Sequence, residues 1–151
     1  MGKSIPWPVG IGNKGNAGVA GSIRTTVGSI GYVNQSYIKG EVVAAALQNK
    51  NGEFIKPSVE SGAIALNGIQ LDENLAGTNP NPEAKGAYPI ATLTWVLAYE
   101  TGNGSKTTAI KETLRRLLSD EYQTKATKLG YVSLEGGILE KSRAAVERIS
   151  K

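Results

Sequence analysis

The sequence predicts an α/β fold, and three observations carry that expectation. Apolar residues recur at three- and four-residue spacing from Lys106 onward, β-competent runs lie at 29–33, 42–48 and 90–99, and glycine, proline and asparagine punctuate the chain between them. Strand signals interleaved with helix signals indicate an α/β domain rather than a helical bundle or a sandwich. A chain of 151 residues with 40% hydrophobic and 20% charged side chains suffices for one ordinary domain with a core.

The first helix is expected over 16–26, capped near Asn16, with Val19, Ala20 and Ile23 on one side and Gly28 ending it. Residues 29–33 then read as a buried strand. Residues 42–48 and Glu53-Phe54-Ile55 flank Asn51-Gly52, a turn pair suited to a two-strand hairpin. Pro57 fits a first helical turn, followed by Ala63, Ile64 and Leu66, with Asn67-Gly68 at the end. Residues 72–87, with Gly77-Thr78-Asn79-Pro80-Asn81-Pro82, form the clearest loop. The most hydrophobic stretch, 90–99, carries Thr92, Thr94, Trp95, Val96 and Tyr99 and reads as a central strand ended by Gly102-Asn103-Gly104. Ile110, Leu114, Leu117, Leu118, Tyr122, Ala126 and Leu129 mark one face of a long helix, or of two helices meeting near Ser119, closed by Gly130. A last helix starts after Gly136-Gly137 and carries Ile138, Ser142, Ala145, Val146 and Ile149.

The composition removes most reactive chemistry. With no cysteine and no histidine, there are no disulfides, thiolate metal sites, Ser–His or Cys–His nucleophiles, or histidine zinc ligands. The paired carboxylates Asp72-Glu73 and Asp120-Glu121 and the Glu135/Glu140 region sit beside lysines and read as solvated helix starts or faces. Arg115-Arg116 lies at the edge of the apolar stripe and reads as surface ion pairing, and Trp7 and Trp95 read as packing residues. No catalytic residue, metal ligand or cofactor is therefore expected, and the chain is not expected to be an enzyme. The net charge of +4 is too small and too dispersed to argue for nucleic acid. No apolar run approaches the roughly 18 residues of a membrane helix. Residues 1–8 lack the apolar run of a secretion signal, which implies either a cytoplasmic protein or a signal absent from the sequence shown.

Seven glycines fall between positions 10 and 31. Gly10-x-Gly12-x-x-Gly15 formally matches the dinucleotide fingerprint, but Pro6 and Pro8 precede it where a buried strand is required. The acid expected about 20 residues on is missing, since the first carboxylate after Lys14 is Glu41. Lys14-Gly15-Asn16, a basic side chain at a helix start, has the elements of a weak oxyanion contact.

The block as a whole carries a more specific signal. Trp7-Pro8-Val9-Gly10, Lys14-Gly15-Asn16 with Gly18-Val19-Ala20, and Gly28-Ser29-Ile30-Gly31-Tyr32-Val33 with Tyr37 resemble the phosphate-binding protein of bacterial phosphate ABC transporters in order and spacing. Asn49-Lys50-Asn51-Gly52-Glu53-Phe54-Ile55-Lys56-Pro57-Ser58 resembles that family's hairpin and helix start. Tyr88-Pro89-Ile90 and Leu129-Gly130-Tyr131-Val132-x-Leu134 resemble its C-terminal landmarks. The resemblance runs from Trp7 to Ile149, with departures at Asn34-Gln35-Ser36 and Ser133-Leu134-Glu135.

The resemblance implies a fold derived from a type 2 periplasmic binding protein, located in the periplasm or at the cell surface. Such receptors enclose phosphate between two lobes, and their anion clamp includes an Arg-x-Asp-x-Ser-Gly-Thr segment. That segment does not occur here: the only Ser-Gly is Ser61-Gly62, followed by Ala63. The chain therefore reads as the receptor's C-terminal portion with parts of both lobes, residues 1–87 giving the later half of the second lobe and 88–151 the return segment of the first. No phosphate ligand carries over to a residue of this chain, so its ligand-binding residues stay unknown. The implied partners are inorganic phosphate in the complete receptor and the transporter's membrane subunits. A second reading is a ligand-free structural or assembly module that folds by self-association, as a homo-oligomer, or with a complementary N-terminal half.

Overall fold

The computed structural model describes residues 6–151, so the N-terminal stretch read for a secretion signal lies largely outside it. The chain divides into two compact units, 1–44 and 45–151.

The first unit is built on α1 (Gly15–Thr25) and a 3₁₀ turn at Gln35–Tyr37. Asn16 does not cap the helix: Lys14 stands at the cap with no side-chain bond, while Asn16 Oδ1 accepts from the Asn34 amide at 2.9 Å. The helix ends at Thr25 with Thr26 at the cap, and Gly28, the expected terminator, stands at φ 77° in the turn that follows, where Ser29 N donates to Thr26 O at 3.2 Å. Residues 29–33 pair with no strand, and Ile30 and Tyr32 are exposed.

The second unit opens with a hairpin of β1 (Leu47–Gln48) and β2 (Phe54–Ile55), antiparallel with Leu47 opposite Ile55. Its turn includes Asn51-Gly52 as the sequence predicts, with Gly52 N donating to Asn49 O at 3.0 Å. α2 (Val59–Asn67) begins at Ser58 through a reciprocal capping box: Ser61 N donates to Ser58 Oγ at 3.1 Å and Ser58 N to Ser61 Oγ at 2.9 Å. Pro57 thus stands just before the cap rather than inside the first turn. The 72–87 loop folds back on this unit, with Tyr88 N donating to Ser61 O at 3.1 Å.

After a 3₁₀ turn at Gly104–Lys106 come α3 (Thr107–Leu117), α4 (Asp120–Lys128) and α5 (Gly136–Arg148). Of the two expectations for the long stripe, two helices are found. The break falls at Ser119, whose hydroxyl accepts from Tyr122 N and caps α4. α5 starts at Gly136 itself, slightly earlier than the glycine pair suggested. The helices and the two-stranded sheet are compatible with the α/β class.

The core is small. Ala65, Leu66, Ile69, Ala87, Val146 and Ile149 are buried in the second unit and Ala20 in the first, and no large side chain among the described residues is fully buried. Residues 90–99, read as a central strand, take up neither helix nor strand. A strand needs a neighbour for its hydrogen bonds and cover for its faces, and the hairpin is the only strand pairing among the described residues.

Candidate functional site

The groups singled out from sequence are placed mainly as surface structure. The Gly10–Gly15 block enters α1 directly, and among the described residues no strand precedes it, so the dinucleotide motif lacks its context there. Lys14 and Asn16 are exposed, and Asn16 spends its carbonyl oxygen on Asn34. Trp7 and Trp95 are both exposed rather than packed as expected, although Trp95 donates from Nε1 to Leu75 O at 2.7 Å.

The carboxylate pairs do not converge. Asp72 Oδ1 accepts from the amides of Asn74 and Ala76 at 2.8 and 2.9 Å, which makes it the organiser of its own turn. Asp120 and Glu121 lie in the first turn of α4, where negative charge suits the helix dipole. Glu121 pairs with Lys125, and that bond lowers its pKa and raises the lysine's. Among the described residues no three acidic groups come together to hold a metal ion.

A depression of about 350 Å³ is lined by Arg115, Leu118, Ser119, Arg143, Val146 and Glu147. Two guanidinium groups at one hollow are the usual makings of an oxyanion site. Both are already engaged. Arg115 donates from Nε and Nη2 to Glu147 at 2.8 and 2.6 Å, and Lys111 Nζ donates to the Glu147 carbonyl at 2.9 Å. Arg143 donates to Leu118 O at 2.7 Å and to Asp120 Oδ1 at 2.7 Å, closing the C-terminal end of α3. The Arg115 bond, ahead of other effects, pushes the Glu147 pKa down to about 2. The hollow is thus a seam of engaged ion pairs that fixes α5 against the α3–α4 corner.

Sequence reasoning missed one polar cluster. Asn49, nearly buried, receives the amides of Asn51 and Glu53 on Oδ1 at 3.0 Å each and donates from Nδ2 to Glu53 Oε2 at 2.9 Å. Glu53 Oε2 also accepts from Gly86 N at 2.9 Å. The Asn49 bond, then the Gly86 bond, lowers the Glu53 pKa. The signal was available in Asn49-x-Asn51-Gly52-Glu53, an asparagine two and four residues ahead of the amides it receives. Its role is to lock the hairpin to the 86–87 bend.

Chemically, the described residues make an α/β surface of ion pairs with no assembled set of reactive groups. Kinship says more. No family model matches the chain. It is 33% identical over 148 residues to the phosphate-binding protein PstS of Pasteurella multocida, covering 95% of this chain and 43% of that protein. It is 31% identical to PstS of Methanocaldococcus jannaschii over 99% of this chain and 43% of the relative. It is 34% identical to PstS of Xylella fastidiosa strain Temecula1 over 95% and 40%. The chain is a homologue of the PstS phosphate-binding proteins along nearly all of its length, and it spans about two fifths of the length of these curated relatives. Among the described residues no helix is long and apolar enough to cross a membrane.

Proposed function

We propose that the chain is the C-terminal portion of a phosphate-capturing receptor that serves an ABC uptake transporter in the periplasm or at the cell surface. The observation that carries this reading is homology to PstS proteins over 95% or more of the chain in three relatives. In this reading the fold derives from a type 2 periplasmic binding protein. Residues 1–87 belong to one lobe and 88–151 return to the other. Phosphate and the transporter's membrane subunits are partners of the complete receptor. The two guanidinium groups of the α3–α5 hollow are engaged with carboxylates, and the Arg-x-Asp-x-Ser-Gly-Thr clamp is missing from the sequence. The chain alone is therefore expected to bind inorganic phosphate weakly or not at all. Isothermal titration of the purified chain tests this. Micromolar or tighter binding would mean that a clamp exists among residues assigned here to scaffold.

A further inference from the structure

Two Asn-x-Ser triplets occur in the sequence, Asn34-Gln35-Ser36 and Asn103-Gly104-Ser105, neither with proline at the middle position. Such a triplet is the acceptor pattern for an N-linked glycan in a secreted protein, provided that the asparagine stands on an open surface. The structure treats the two in opposite ways. Asn34 is exposed, and its backbone N donates to Asn16 Oδ1 at 2.9 Å, which holds the bend at 34–36 to α1. Its side-chain oxygen accepts from Ser36 N at 3.0 Å and from Ser36 Oγ at 2.9 Å. A backbone N–H can only donate, so the amide oxygen and not the nitrogen must face it. Among the described residues Asn34 Nδ2 has no acceptor. Asn103 is the reverse case. It is half-buried and donates from Nδ2 to Tyr99 O at 2.8 Å and to Ser150 O at 3.0 Å. Carbonyls can only accept, so the nitrogen of that side chain is the atom held in place.

We propose that Asn34 is a modification site, the acceptor of an N-linked oligosaccharide delivered from a lipid-phosphate donor, and that the fold withholds Asn103 from the same reaction. In the transfer Asn34 Nδ2 forms a bond to the anomeric carbon of the first sugar. The bond from that carbon to the donor's phosphate oxygen breaks, the lipid phosphate leaves with its electron pair, and one Nδ2 proton passes to a base of the transferase. An amide nitrogen is a weak nucleophile because its lone pair is shared with the carbonyl. Two donors aimed at Oδ1 stabilise the negative charge that builds there as Nδ2 gives up its proton, as preorganised donors do for any developing oxyanion. Ser36 supplies both donors, its amide and its hydroxyl. At Asn103 the reacting nitrogen is spent on two carbonyls, and freeing it costs both bonds, one of which ties Ser150 to the 103 turn. The Asn34 triplet lies at one of the departures from the phosphate-binding-protein pattern, so kinship does not supply it. Transfer of this kind takes place outside the cytoplasm, and the inference rests on the proposed function for that compartment.

The test incubates the purified, folded chain with an oligosaccharyltransferase that requires only Asn-x-Ser/Thr, together with its lipid-linked oligosaccharide, and locates glycans by peptide mass spectrometry. The expected result is a glycan on Asn34 that forms about 10-fold or more faster than any on Asn103, whose nitrogen must first break two hydrogen bonds. A synthetic peptide of residues 99–107 should be glycosylated at Asn103, because the carbonyl of Ser150 is then gone and the fold no longer holds the side chain. Asn34→Gln and Ser36→Ala should abolish the Asn34 glycan, and Ser36→Thr, which keeps the hydroxyl, should preserve it. Four results overturn the proposal: no glycan on Asn34 of the folded chain, equal rates at the two asparagines, an unmodified 99–107 peptide, or a Ser36→Ala variant glycosylated as fast as the parent. The reaction needs neither export nor phosphate, so such failure leaves the functional reading standing. Micromolar phosphate binding by the unmodified chain would revise that reading and leave the acceptor assignment in place.

Discussion

Glu147 shows what individual side chains do in this protein. Its carboxylate takes two bonds from Arg115 and lies 3.5 Å from Lys111 Nζ, so α5 is tied to α3 by charge at a position open to solvent. The bidentate Arg115 bond holds the folded-state pKa at about 2, below the usual glutamate range. A depressed folded pKa contributes stability that is present above the unfolded pKa and lost as pH falls through the folded value. The thermal midpoint should therefore fall between about pH 4.5 and pH 2, and Glu147→Gln should flatten that part of the profile. Calorimetry across pH checks it, and a profile identical in the variant would mean that the pair contributes nothing. Arg115 was legible in the sequence as a surface ion-pair residue beside the apolar stripe, but its partner 32 residues away was not. Pairing across two helices depends on how they pack, and spacing along the chain contains no information on that.

Elements were legible in proportion to how locally they are bonded. All five helices were expected within a few residues of their observed limits, because their hydrogen bonds and caps lie within four positions, as with Ser58 and Ser119. The hairpin was legible through Asn51-Gly52 for the same reason. The two other strand expectations, 29–33 and 90–99, rested on side-chain character alone, and strand formation requires a neighbour that β-propensity cannot supply. The 72–87 loop was recognised by composition, but its close packing was not. At Gly77 an added Cβ would clash with the Gln70 carbonyl oxygen, a backbone atom with little freedom to yield. Gly77→Ala should destabilise the second unit by about 1–3 kcal/mol, as overpacking does. Urea unfolding followed by far-ultraviolet circular dichroism reads this directly. A neutral result would mean that the loop does not rest on the 69–70 segment in solution.

At the scale of the whole molecule, seven apolar residues are buried among the described residues, three of them alanine, which is few for a chain of this length. The sequence contains enough apolar side chains for a full core, but many stand exposed, among them Trp7, Val9, Ile11, Ile30 and Leu97. Helical spacing selected the more covered sides of α1 and α5, but Ile64, Leu117 and Leu129 of the other expected faces stand exposed, so apolar character and burial agree only in part. That exposure has a thermodynamic signature, because the urea m-value scales with the surface newly exposed on unfolding. An unfolded chain of this mass exposes about 23,000 Å², and the folded chain already exposes 11051 Å². The surface released is then roughly 15–25% less than for well-covered globules of the same total length. The m-value should be lower by that fraction, and an apolar dye such as anilinonaphthalene sulfonate should bind the native chain. An m-value at the full expectation for 151 residues, with no dye binding, would mean that the apolar segments find cover within the chain itself.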